Sequence, residues 1–388
     1  MQFEFATATR IIFGKRVSVT SIQNIITLIE GRKGKVLVLT GKEWSRSKFL
    51  IDLLNQNGIE TILFQVEGEP TIELVKSAAQ IARENSVCLV IGIGGGSVID
   101  CGKAVSAMAT NPGSLLDYLE VIGLAKPLAI MPLPFVAIPT TSGTGAEVTK
   151  NAVITSKKEG VKASLRHPFL LPKLAIIDPE LTLTTPPRLT AETGLDALTQ
   201  LIEAFISVKA NPLTDALAVE GIRRAGCSLR QAFFNGNDIS AREDMAIASL
   251  FSGIALANAG LGAVHGFAAP IGGIYSAPHG AVCAALIAPV LKINLQALRQ
   301  RENDSPTLEK FKTIARLLTS NPNAKPDEAV EWIEQTCSMF GLRKLRDFGM
   351  KRADFSELII KAQKASSMKG NPVKLTEREL ELILEGAF

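Results

Sequence analysis

The chain has 388 residues, 46% hydrophobic and 5% aromatic, with 42 basic against 38 acidic residues for a formal charge of +4. That length and apolar content exclude disorder and predict two domains with large aliphatic cores. The basic residues form no tail or stripe, which excludes nucleic acid as an expected partner, and no apolar run reaches the roughly 20 residues that span a bilayer, so no membrane partner is expected either.

The opening segment, MQFEFATATRIIFGKR, lacks the apolar stretch of a signal peptide. Within it, RIIFG predicts an edge strand and with it a possible homodimer through the sheet. Short apolar runs bounded by Gly or Pro follow at residues 34–40, 61–66, 87–93 and 135–139, as buried parallel strands require. Amphipathic helices are predicted between them, at roughly 44–57, 71–85 and 98–110. The alternation predicts an α/β, doubly wound, mostly parallel sheet. NAVITS (151–156) and KLAIID (173–178) are expected to complete it as a hairpin. Beyond about Pro187 the patterns become helical: 190–207, 211–233, 240–260, 280–299, 306–319, 326–340, 354–367 and 376–386. Asn211–Pro212 reads as a helix start, and Thr376 with Glu379 as a capping box. The predicted division is a dinucleotide-binding α/β domain over 1–187 and an all-helical metal and substrate domain over 188–388. Five scattered cysteines with no CxxC read as buried thiols in a reducing compartment, so a cytoplasmic location is expected. Cys101 and Cys283, although beside candidate site residues, read as inert packing.

Two glycine loops leave predicted strands. In GIGGGSVIDCGKA, Gly94, Gly95 and Gly96 let the backbone approach a bulky anion, and Ser97 adds a hydroxyl at a helix N-terminus that favours phosphate. Asp100 lies one turn further on. In PTTSGTGAEVT, Thr140, Thr141 and Thr144 alternate with glycines, a density of hydroxyls suited to a diphosphate or ribose. Both loops lie at carboxyl ends of strands, where open α/β sheets bind dinucleotides. The first strand-to-helix turn reads LTGKEWSRS: Gly41 stands where a ribose-binding acid is common, with Lys42, Ser45 and Arg46 after it. With no carboxylate to repel a 2′-phosphate, NADP is favoured over NAD.

The chain has three histidines, two of them in AVHGFAAPIGGIYSAPHGAVCAA. In GLDALTQLIEAF, Asp196 and Gln200 share one helix face at i, i+4. Asp196, Gln200, His265 and His279 together would offer an oxygen-and-nitrogen pocket for a divalent cation. Phe267, near His265, is a candidate for lining a substrate pocket. His167, in SLRHPFLLP, reads as a loop residue.

GGGSVIDCGK, PTTSGTGAEVT, IIDPELTLTTPP, GLDALTQLIEAF and VHGFAAPIGGIYSAPHG, in this order, resemble the iron-containing (group III) alcohol dehydrogenases over essentially the whole chain. The resemblance implies a dehydroquinate synthase-like architecture, with a metal at the cleft between its two domains. It implies ligation by Asp196, His265 and His279, through which catalysis runs. It also implies cofactor contacts from Gly94, Gly95, Gly96, Ser97, Thr140, Thr141 and Thr144, and from Asn151, Lys162 and Leu181. The chain departs from the family at three points: Gln200 and Ala269 stand where many members have histidine, and Glu69 replaces a turn asparagine. The implied reaction is hydride transfer between a small alcohol or aldehyde and NADP or NAD, with Fe(II) or Zn(II) as Lewis acid. The alternatives are a maleylacetate reductase-like enzyme of the same fold and a catalytically silent nucleotide sensor.

Overall fold

The computed structural model describes residues 2–275 and 277–388. The chain divides into two compact units, the first comprising Thr7–Thr141 and Ala146–Leu183. The second comprises Thr184–Phe388, a short N-terminal segment ending at Ala6, and Ser142–Gly145 from the tip of the second glycine loop.

The α/β unit runs β1 (Ile11–Phe13), α1 (Val17–Thr20), α2 (Ile22–Thr27), β2 (Lys35–Thr40), α3 (Lys48–Gln56), β3 (Thr61–Gln65), α4 (Ile72–Glu84), β4 (Val87–Gly94), α5 (Gly96–Met108), β5 (Phe135–Pro139), β6 (Asn151–Ser156), β7 (Val161–Arg166) and β8 (Leu174–Ile177). Six strands form one sheet in the order β1-β8-β5-β4-β2-β3, every pair parallel. Strands β4 and β5 are buried along their whole length. A strand packed on both faces reads as an unbroken apolar run, which is why these were legible. Thr71 caps α4 by accepting from the Leu74 amide (3.2 Å).

One expectation is corrected. Asn151–Ser156 does not pair with 173–178; it forms a separate antiparallel hairpin with Val161–Arg166. Leu174–Ile177 does complete the main sheet, as expected, between β5 and β1. The physical difference lies in the burial pattern: β6 alternates buried with half-buried, as a one-faced hairpin strand does, whereas β8 is buried throughout. RIIFG supplies the edge strand β1, as expected.

The helical unit contains α6 (Pro187–Ile206), α7 (Pro212–Phe234), α8 (Ile239–Ala259), α9 (Ala263–Tyr275), α10 (His279–Arg301), α11 (Thr307–Thr319), α12 (Pro326–Met339), α13 (Phe355–Lys364) and α14 (Glu377–Ala387). Asn211 with Pro212, and Thr376 with Glu379, start α7 and α14 as predicted. Helix α9 was not predicted, because Gly266, Gly272, Gly273 and Pro270 mask its period. Val264, Phe267, Ala268 and Ile271 nevertheless fall on one buried stripe at i, i+3, i+4, i+7. The chain bends by 99° between α8 and α9, at Gly260 with φ +69°. Helix α10 is long and apolar enough to cross a bilayer, but 83% of that stretch is buried inside the protein, as for a core helix.

Candidate active site

In the α/β unit the first glycine turn leads from β4 into α5 as expected. No side chain caps α5; Gly95 O accepts from the Val98 and Ile99 amides (3.0 and 3.2 Å). The earlier amides of the turn, at Gly96 and Ser97, sit at the positive end of the helix, where an anion is favoured. Thr140 N donates to Gly94 O (3.0 Å), and a Cβ added at Gly95 would stand 3.5 Å from Thr141 Oγ1. The two loops therefore face each other at the carboxyl ends of β4 and β5.

Other candidate cofactor residues are tied into the framework. Fully buried Lys103 donates to Asp100 Oδ1 (3.2 Å), Thr149 Oγ1 (2.9 Å) and Asn151 O (2.7 Å), while Asp100 Oδ2 accepts from Val153 N (3.0 Å). This clamps α5 to the hairpin. Burial lowers the Lys103 pKa and raises that of Asp100. Glu147 also feels Lys103, but burial pushes its carboxyl up to about 7: one buried cation neutralises one carboxylate, and Asp100 is the one in contact. Lys162 pairs with Glu69 (3.1 Å), and Leu181 packs on the core beneath the sheet. Arg46 pairs with Glu43 (2.9 Å), while a Cβ added at Gly41 would meet nothing within 4 Å. Cys101 is fully buried and its thiol is pushed up to about 12, so it is inert.

The helical unit brings together Asp196 and Gln200 from α6, His265 from α9 and His279 from α10. The approach of α10 to α6 depends on Gly280, since a Cβ there would lie 2.4 Å from Glu192 O. That contact, one turn before Asp196 on α6, brings His279 to Asp196. His265 Nε2 and His279 Nε2 stand 3.4 and 3.5 Å from Asp196 Oδ1, a buried carboxylate oxygen with no hydrogen-bond partner. Such an oxygen, without a hydrogen-bond partner and flanked by two imidazole nitrogens, completes a donor set that fits a cation. Burial pushes the Asp196 carboxyl up, but His279 and His265 outweigh it and the net shift is downward. Burial likewise opposes protonation of both imidazoles. Cys283 and Asp196 prevail, with Glu203 also acting on His265, placing His279 at about 8 and His265 well above the ordinary range.

Two residues at this site escaped the sequence reading. Glu203, two turns along the Asp196 face, accepts from His265 Nδ1 (2.7 Å) and from the Val264 amide (2.7 Å). It fixes the tautomer that aims Nε2 at Asp196, as carboxylates behind metal-binding histidines do. Cys283, expected to be inert packing, instead places Sγ 3.8 Å from His265 Nε2 and 3.7 Å from His279 Nε2. Helix spacing carried both signals, at Asp196 + 7 and His279 + 4. Gln200 lies beside the cluster, its Oε1 accepting from Ser252 Oγ (3.0 Å) and its Nε2 reaching Asp196 Oδ2 (3.5 Å). Ser252 Oγ also lies 3.3 Å from Gly143 O, and a Cβ added at Gly143 would press on Thr193 at 2.8 Å. The tip of the second loop, including Thr144, is thus seated on α6 one turn before Asp196. Phe267 is wholly buried in the helical core, because its place in the α9 stripe turns it inward. His167 caps a short 3₁₀ turn through the Phe169 amide.

A parallel sheet with a glycine turn suited to phosphate, and a helical unit with a buried Asp–His–His cluster suited to a metal, are the two features that the resemblance to a metal-dependent nicotinamide oxidoreductase implies. Residues 8–179 match the iron-containing alcohol dehydrogenase family and residues 190–388 match the C-terminal part of the Fe-containing alcohol dehydrogenase family. The chain belongs to this family. It is 39% identical over 342 residues to 1,3-propanediol dehydrogenase of Citrobacter freundii, covering 86% of this chain and 85% of that one. A solved 1,3-propanediol oxidoreductase superposes with a TM-score of 0.90 at 35% identity over 100% of both chains. Sulfoacetaldehyde reductase of Bifidobacterium kashiwanohense, solved with NAD+, gives 0.86 at 28% identity over 100% of this chain and 99% of that one. The protein is an alcohol/aldehyde oxidoreductase whose family binds NAD(P) and a metal; neither the maleylacetate reductase-like nor the silent-sensor alternative is favoured.

Proposed function

We propose that the chain transfers hydride between small, weakly polar alcohols or aldehydes and NADP(H), using Fe(II) or Zn(II) held by Asp196, His265 and His279. The observation that carries this reading is the buried Asp196 Oδ1, unpartnered and flanked by two imidazole nitrogens at 3.4 and 3.5 Å. When bound, the metal supplies Lewis acidity toward the substrate oxygen, and the nicotinamide carries the hydride. The chain's own residues do the rest. Glu203 holds His265 in one tautomer; Gly96 and Ser97 present backbone N–H groups to the cofactor phosphates. Thr144 lies on the loop tip between Gly143, which packs on Thr193 of α6, and Gly145, which packs on Gly253 of α8, and supplies a hydroxyl to the cofactor. The residue one turn after His265 is Ala269, exposed and without a titratable group, so the substrate proton passes to water or to a cofactor hydroxyl. The uncharged Ala, Gly and Ile residues of α9 support a weakly polar substrate. Gly41, with open space at its α-carbon and Lys42 and Arg46 following, supports NADP over NAD. Five free cysteines support a reducing, cytoplasmic setting, and the β1 edge offers a route to a homodimer.

The test is metal analysis of the purified enzyme combined with NADPH and NADH oxidation by short aldehydes. The expected result is near-stoichiometric metal, faster turnover with NADPH, and loss of turnover with retained NADPH binding in His265→Ala. Full activity of a metal-stripped His265→Ala enzyme would overturn the reading.

A further inference from the structure

We propose that Cys283 is the fourth protein donor to the divalent cation, binding as a thiolate in the role the sequence reading gave to Gln200. This rests on the metal site proposed above and extends it. Asp196 Oδ1, His265 Nε2, His279 Nε2 and Cys283 Sγ converge so that all four atoms lie within 4.8 Å of one another. Around a tetrahedral ion with zinc-like bond lengths, nitrogen–oxygen edges are about 3.4 Å and nitrogen–sulfur edges about 3.6 Å. The measured spacings are 3.4 and 3.5 Å from the imidazoles to Asp196, and 3.8 and 3.7 Å from the imidazoles to Cys283. They match to within a few tenths of an ångström, and the sulfur pair is the longer, as its larger radius demands.

Two i, i+4 pairs face the site, Asp196 with Gln200 on α6 and His279 with Cys283 on α10. Gln200 is already committed. Its amide oxygen accepts from Ser252, and its amide nitrogen reaches Asp196 Oδ2, the carboxylate oxygen turned away from the imidazoles. Gln200 is therefore a positioning residue that holds the Asp196 carboxylate with Oδ1 forward. Cys283 has no such commitment: it is fully buried, and its hydrogen-bond contacts among the described residues are the two imidazoles. It is not a lone cysteine, because the orphaned Asp196 Oδ1, on a side chain only 2% exposed, points into the same space.

On binding, the S–H bond breaks, its proton leaves to solvent, and the sulfur electron pair forms the metal bond; nothing is oxidised or reduced. One carboxylate and one thiolate then balance a dipositive ion, and the soft donor shifts preference from Fe(II) toward Zn(II).

The full chain is stripped, reloaded with Co(II), and its absorption recorded. The expected spectrum combines visible ligand-field bands with an intense near-ultraviolet thiolate-to-cobalt charge-transfer band. The latter vanishes in Cys283→Ser and survives in Gln200→Leu. In parallel, Cys283→Ser loses zinc affinity by more than the about 10–100-fold expected for an outer partner such as Gln200. Bound Co(II) that depends on His265 but lacks the charge-transfer band, or keeps it in Cys283→Ser, overturns the assignment of Cys283 and leaves the metal site standing. Failure to bind Co(II), or binding indifferent to His265→Ala and Asp196→Ala, overturns both. The wild-type spectrum alone decides the case if Cys283→Ser does not fold.

Discussion

Glu203→Gln is the sharpest perturbation of this site, because it alters no proposed ligand and hardly changes volume. The native carboxylate accepts two hydrogen bonds at once, from His265 Nδ1 and from the Val264 amide, both at 2.7 Å. A glutamine has a single acceptor oxygen for those two donors. If that oxygen keeps Val264, the NH₂ group faces Nδ1, makes it an acceptor, and drives the imidazole proton onto Nε2, the atom aimed at the metal. If the oxygen keeps Nδ1, the NH₂ opposes the Val264 N–H at the start of α9. Either way one hydrogen bond to a charged group is lost, worth about 1.5–3 kcal/mol. Converted at 1.4 kcal/mol per decade, that is about 10–150-fold in metal affinity. The figure agrees with the about 10–100-fold attached to carboxylates behind metal-bound histidines. The assay is zinc competition against a chromophoric chelator, run beside kcat and KM for an aldehyde and KM for NADPH. Metal affinity should fall by the stated factor, with KM for NADPH unchanged and kcat recovering as zinc is raised. Wild-type metal affinity in Glu203→Gln, or a loss confined to NADPH binding, would refute the claim that Glu203 sets the His265 tautomer.

Other perturbations probe the framework. Lys103→Met strands the buried Asp100 carboxylate and should cost about 3–5 kcal/mol in urea unfolding, much of it recovered by adding Asp100→Asn; a loss below about 1 kcal/mol would show that the clamp is not structural. Glu147 has its carboxyl raised from 4.5 to about 7 by burial, so the native state holds the proton more tightly than the unfolded chain. Its stabilising effect is complete below about 4.5 and lost as pH rises through about 7, a swing of roughly 3.5 kcal/mol at about 1.4 kcal/mol per unit. Glu147→Gln should therefore match wild type at about pH 4 and exceed it at about pH 8, and equal stability curves would exclude a buried neutral acid. Gly41→Asp should fit without backbone movement, since a Cβ there meets nothing within 4 Å. A carboxylate about 5 Å from a 2′-phosphate charge costs about 3 kcal/mol at an effective dielectric of 20, so the NADPH/NADH ratio of kcat/KM should fall at least about tenfold. Zinc at a hundred times its Kd should stabilise the apo-protein by about 2.7 kcal/mol in thermal melts, with no gain in Asp196→Ala.

How far the sequence discloses this protein depends on how each residue advertises its surroundings. Strands β2, β4 and β5 were legible because parallel strands buried on both faces must be apolar throughout, and the starts of α7 and α14 because Asn211 and Thr376 mark their own positions. The β6–β7 hairpin was mispaired because VKASLR alternates half-buried with buried residues and offers no apolar run, while LAII does. Helix α9 was hidden by its glycines and Pro270, which local propensity counts against a helix. Tertiary packing overrides that cost: glycine at position 266 lets Met368 pack within 2.8 Å of where a Cβ would stand, and Glu203 and Asn371 accept from the amides of Val264 and Ala263 (2.7 and 3.2 Å) at the helix start. At the site itself, Asp196, His265 and His279 were legible as unusual residues in unusual places. Glu203 and Cys283 were not, because a glutamate in a helix reads as a solvated charge and a cysteine among alanines reads as core. What distinguishes them is the face they occupy, one helical repeat from a recognised ligand. That face becomes informative only once the bend at Gly260 and the close approach at Gly280 bring three helices to a single point. A polar or nucleophilic residue four or seven positions from a candidate ligand on the same helix is therefore part of the site until its partners show otherwise, and by that rule Cys283 belongs with His279 as Gln200 does with Asp196.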